Sequence, residues 1–213
     1  MVDNPEKSGI IENMAANDFE IRRENPKYTK FDPYADYSVN ISALSDTVNN
    51  GLSDACRRVA EDGTKNRCEA LSLIDLGTGK QRHYELGDYD SVGGKRFQGF
   101  IEKNQNGKFA FVHNHPTDGF LSSVDMQTFI STEQIKIMIS TSNDGLKRIV
   151  FGDIKDSRFL ENIYQVDVND LRKQIKNGTL EMVEYPYELQ KLLVENAIRD
   201  YGNFGFWEVD GRV

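Results

Sequence analysis

Between residues 41 and 152 the spacing of apolar residues switches repeatedly between a period of about 3.6 and a period of about 2, which restricts the chain to alternating helices and strands. Ile41, Leu44, Val48, Leu52, Ala55 and Val59 predict a core-facing helix that ends at Asp62-Gly63. CEALSLIDL (68–76), stopped by Gly77-Thr78-Gly79, and KQRHYEL (80–86), stopped by Gly87, predict the two strands of a hairpin. RFQGFIEKNQNG (96–107) carries Phe97, Phe100 and Ile101 at helical spacing ahead of a glycine stop. KFAFVH (108–113) predicts a strand ending near Pro116, and SVDMQTFI (123–130) a helix after a serine pair. IKIMIS (135–140) predicts a buried strand and LKRIVFG (146–152) its hairpin partner across Asn143-Asp144-Gly145. The order α-β-β-α-β-α-β-β implies an α/β fold over residues 38–153, a central mixed sheet flanked by helices.

The flanking regions read differently. Residues 1–37 are polar, charged and interrupted by Pro5, Pro26 and Pro33, so they predict a tail with one short helix around Ile10 to Ile21. Residues 154–213 predict a mainly helical extension, with Leu189, Leu192, Leu193, Ala197 and Tyr201 on one stripe stopped by Gly202 and FGFWEV as a last strand.

Composition removes several function classes. A formal charge of −8 provides no basic field for phosphate backbones, so nucleic acid is not an expected partner. The first 20 residues lack the apolar core of a signal peptide, and no stretch approaches the roughly 18 apolar residues that span a membrane. A soluble, cytoplasmic protein is expected. Cys56 and Cys68 are the only cysteines, too few for a disulfide framework or a cysteine zinc site, and read as packing thiols.

Chemistry concentrates in FVHNHP, which holds two of the three histidines, His113 and His115. Strand side chains alternate, so positions i and i+2 leave the same face and can bind one metal ion. Ten residues beyond His115 stands Asp125, three after Ser122, on the expected first turn of a helix. Its carboxylate can fold back to the strand end as a third ligand. Two histidines and one carboxylate leave a fourth tetrahedral position open, the pattern of catalytic zinc. Ser122 and Asp125 also read as a capping box, with Ser122 as the N-cap.

HNHPTDGFLSSVD resembles the metal-binding signature of the JAMM (JAB/MPN-like) zinc metallopeptidases, in which H-x-H is followed by a serine and, three residues later, an aspartate. The common form places seven residues between the second histidine and the serine, whereas PTDGFL supplies six. That shorter spacing is similar to the H-N-H-P form of JAMM-like domains in bacterial and phage proteins, and it leaves open whether Ser122 or Ser123 takes the serine's place. The resemblance covers about residues 40–152 and implies a JAB/MPN-like fold with Zn2+ on His113, His115 and Asp125. It also implies a glutamate at the start of an upstream strand, where Glu69 stands as general base ahead of Glu85 and Glu102. Ser122 would donate to the oxyanion. The implied activity is hydrolysis of peptide or isopeptide bonds in a peptide or protein substrate, including ubiquitin-like conjugates. A JAMM-like scaffold or interaction module of a phage or toxin system is the alternative.

Other H-x-H chemistries fit less well. An HNH nuclease needs another histidine downstream, and none follows His115. Zinc deaminases need H-x-E and P-C-x-x-C, which are absent. Amidohydrolase-type sites need more histidines than His83, which has no companion at ligand spacing and reads as a surface or packed residue.

Overall fold

The computed structural model describes residues 29–89, 91–115, 121–152, 169–181, 184–200 and 203–213. In chain order the elements are α1 (Asp46–Asn66), β1 (Ala70–Asp75), β2 (Gln81–Leu86), α2 (Lys95–Lys103), β3 (Phe109–His115), α3 (Ser123–Ser131), β4 (Ile135–Ser142), β5 (Leu146–Phe151), α4 (Asn169–Lys176), α5 (Tyr185–Asp200) and β6 (Gly205–Asp210). The fold is α/β, and its first eight elements follow the order read from the sequence. The short helix expected around Ile10 to Ile21 lies outside the described residues.

The described chain divides into two units. Residues 29–115, 132–152 and 205–213 make a sheet unit, and residues 121–131 group with the C-terminal helices in a helical unit. The six strands run in the order β2-β1-β3-β4-β5-β6. β3 and β4 are parallel and every other neighbouring pair is antiparallel, which makes the sheet mixed.

Alternation gives the sheet two distinct faces. One carries Ala70, Ile74, Ala110, Val112, Ile137, Ile139 and Ile149, which pack with Val48, Leu52, Ala55, Cys56, Val59 and Ala60 of α1 into the main core. The other carries Leu71, Leu73, Phe111 and His113. There α2 contributes Phe97 and Phe100, set edge-on against Phe111 and Phe109 at centroid distances of 5.4 Å each.

Several boundaries differ from the sequence reading. α1 does not end at Asp62-Gly63 but continues to Asn66, where Arg67 closes it in the left-handed region at φ 54°. Gly63 serves close approach instead: a Cβ there would lie 2.2 Å from Asn114 Nδ2. At its other end the helix starts at Asp46 behind the N-cap Ser45, so Ile41 and Leu44 precede it. The packed chain also begins before residue 38. Ala35, Tyr37, Val39 and Ile41 are buried in the core as an alternating strap, and Asp36 N–H donates to Gly211 O at 2.8 Å. The fully buried Lys147 fastens that strap by donating its ammonium to Asp36 O and Gly145 O. FGFWEV does form the last strand; as β6 it extends the sheet beyond β5, with Trp207 against Phe151.

Both cysteines are free and buried, as expected of packing thiols. Burial pushes the Cys56 thiol up to about 12. In the helical unit, Leu121, Met126 and Phe129 are buried, as are Tyr185, Leu189, Val194 and Ala197 of α5. Gln190 Oε1 accepts from Leu121 N–H at 3.1 Å, tying the start of α3 to α5. Among the described residues no helix is long and apolar enough to cross a membrane.

Candidate metal centre

β3 runs two residues beyond His113, because Asn114 and His115 continue the parallel ladder opposite Thr141 and Ser142 of β4. His113 and His115 therefore leave the same face of one rigid strand, as the i, i+2 spacing requires. Both are buried, at 0% and 3% exposure. Their Nε2 atoms face each other 2.9 Å apart. Nitrogens that close share either a proton or an ion. Phe111 braces the His113 ring edge-on at 5.3 Å.

Glu69 reaches the same place from β1. The last β1–β3 pair is Leu71 with His113, and continuing that antiparallel register by two residues sets Glu69 opposite His115. Its carboxylate Oε1 lies 3.9 Å from His115 Nε2, and its side chain is 12% exposed. The Glu69 main chain is held from the β2 side, where its N–H donates to Asp88 O and its C=O accepts from Gly87 N–H, both at 2.8 Å.

Ser122 and Asp125 make the reciprocal cap expected at the start of α3. Asp125 N–H donates to Ser122 Oγ at 3.1 Å, while Ser122 N–H and Ser122 Oγ–H both donate to Asp125 Oδ2, at 2.6 and 2.7 Å. The hydroxyl proton of Ser122 is thus engaged by the aspartate. His113 and His115 belong to the sheet unit, and Asp125 stands on the first turn of α3 in the helical unit.

The competing glutamates are accounted for differently. Glu85 accepts from His83 Nε2 at 2.9 Å and from Gly93 N–H at 3.0 Å, so both of its carboxylate oxygens have fixed structural partners. His83 is packed as expected, tilted against Phe100 at 5.2 Å. Glu102 is exposed on α2. Thr117 and Asp118 lie outside the described residues.

One residue of the neighbourhood escaped the sequence reading. Asn114, between the two histidines, projects to the opposite face and is fully buried under α1. The signal for it was available: a polar residue at a core-facing strand position needs hydrogen-bond partners there. No protein-family model, no curated protein and no solved structure matches the chain.

Proposed function

We propose that this chain is a zinc-dependent hydrolase of JAMM type that cleaves peptide or isopeptide bonds, with His113, His115 and Asp125 as metal ligands and Glu69 as general base. The two buried histidine Nε2 atoms that face each other, with the Glu69 carboxylate beside them, carry this reading. Two ring nitrogens that share a tetrahedral zinc stand about 3.3 Å apart, close to the 2.9 Å between His113 and His115. Two imidazoles and one carboxylate form a donor set suited to zinc, with a fourth position left for water or substrate. Zinc held there supplies Lewis acidity, which brings the pKa of a water from about 15.7 towards about 7 and polarises a carbonyl.

The remaining chemistry belongs to the chain. Glu69 takes a proton from the attacking water as the water oxygen bonds to the carbonyl carbon. It then delivers that proton to the amine nitrogen as the carbon–nitrogen bond breaks. Its position beside His115 and its low exposure suit this role. Ser122 acts through Asp125, fixing the carboxylate's orientation by the cap it makes. A direct role on the oxyanion requires that hydroxyl proton to leave Asp125.

Elemental analysis of the purified chain, coupled to a cleavage screen of peptides and ubiquitin-like conjugates, tests the proposal. The expected result is about one zinc per chain and cleavage that a chelator removes and added zinc restores. A protein that takes up no zinc by equilibrium dialysis ends the metal reading. One that binds zinc and cleaves nothing is a metal-holding scaffold, and the hydrolase reading fails.

A further inference from the structure

Regular β1–β3 pairing stops at Leu71 and His113, so Glu69 stands two residues past the end of the ladder that would otherwise flank it on the β3 side. The β2 side alone holds the Glu69 main chain by backbone hydrogen bonds, and a base needs its position fixed to within a fraction of an ångström. The place of the missing ladder is taken by a side chain. Asn114 Oδ1 accepts from Ala70 N–H at 2.7 Å, and Asn114 Nδ2 donates to Cys68 O at 3.4 Å. These are the peptide groups on either side of Glu69. We propose that Asn114 is the positioning residue for Glu69, its amide clamping the backbone before and after that glutamate and so setting the carboxylate beside His115. The inference rests on the reading of Glu69 as base.

Burial makes the clamp specific. Asn114 is fully buried on the core face, where an apolar residue would pack without cost and an amide survives only with its polar atoms satisfied. Its Nδ2 also donates to Asn143 Oδ1 at 3.2 Å, and Asn143 is itself anchored by donating to Thr29 O and accepting from the Tyr37 hydroxyl through its own carbonyl. Gly63 of α1 leaves the room the amide occupies. One short motif therefore does two jobs on two faces: the histidines at its flanks point to the metal, and the asparagine between them points to the base.

The test uses the full chain, its Asn114→Ala and Gly63→Ala variants, and three readouts. Gly63→Ala displaces the amide while every polar atom is retained, so it serves if Asn114→Ala folds poorly. Amide exchange by NMR should rise about 100-fold at Ala70 in either variant and stay unchanged at Ile137 and Ile139 of β4. Zinc affinity, measured by chelator competition, should change less than about threefold, because the ligands are intact. On a cleaved substrate, kcat should fall about 100-fold with KM unchanged, and adding Asn114→Ala to Glu69→Gln should cause no further loss. Unchanged exchange at Ala70, exchange that rises equally across β4, or losses that multiply in the double variant would each overturn the proposal. If the wild-type chain cleaves nothing, or Glu69→Gln cleaves normally, the base reading fails, and the exchange readout alone then decides whether Asn114 holds Glu69.

Discussion

Glu69 and Glu85 stand on neighbouring strands, both buried and both with a histidine at hand, yet their carboxylates are held differently. Glu85 sits inside the β1–β2 ladder opposite Leu71, close enough to His83 for a direct hydrogen bond and also bonded to Gly93 N–H. Glu69 sits past the end of the β1–β3 ladder, and 3.9 Å separates it from a nitrogen aimed at the other histidine. Nearness to a histidine therefore does not by itself nominate a carboxylate as the proposed base. What distinguishes Glu69 is that its histidine belongs to a convergent pair, while the Glu85 partnership fixes the chain that follows β2.

The sharpest way to break this comparison is through the metal. His115→Ala should abolish stoichiometric zinc binding, since two protein ligands hold too little affinity, whereas His83→Ala should retain about one zinc per chain. Equal zinc content in the two variants, by elemental analysis after dialysis, would remove the distinction.

Turnover separates the glutamates next. Glu69→Gln should keep zinc and fold while the rate drops by about 100- to 10,000-fold, the usual worth of a positioned base. Glu85→Gln and Glu102→Gln should stay within about threefold of wild type, because neither touches the reacting atoms in the proposed site. A rate loss confined to Glu85→Gln would move the base to β2. Stability should rank the residues the other way. Glu85→Ala leaves Gly93 N–H and His83 without their buried acceptor and should cost about 1–3 kcal/mol in urea unfolding, more than Glu69→Ala does. Equal losses of stability would mean that Glu69 is as structural as Glu85.

The sequence revealed the elements through periodicity and their ends through glycine and turn residues, which is why the order from α1 to β5 was readable. Misread boundaries have tertiary causes. Gly63 has the appearance of a stop, but its function is to admit Asn114 from a strand far along the chain. Tyr37 and Ala35 lie in a polar, proline-containing stretch, and their burial depends on contacts with the core and the C-terminal tail. The candidate ligands were legible because strand alternation and a helix start mark them locally. Glu69 was reachable only by resemblance, for a single glutamate at a strand start has no pattern of its own. Asn114 was missed because its partners, Cys68, Ala70 and Asn143, become neighbours only when the sheet forms.

The smallest expected effect concerns the third carboxylate, Asp125, and the serine that holds it. In Ser122→Ala the cap loses the hydroxyl that accepts from Asp125 N–H, which should cost about 1 kcal/mol of α3 stability. Asp125 Oδ2 keeps its bond from Ser122 N–H, so the carboxylate stays near its orientation. Zinc affinity should then weaken by about tenfold, the lower end of what an orienting partner contributes. Turnover measured at saturating zinc should stay within about threefold of wild type, because the hydroxyl acts through the ligand and not on the substrate. A loss of about 100-fold at saturating zinc would show instead that the hydroxyl leaves Asp125 to donate to the oxyanion. Ser123→Ala is the control that places the effect: the larger rate loss in Ser123→Ala would assign the oxyanion role to the second serine and leave Ser122 with the cap alone.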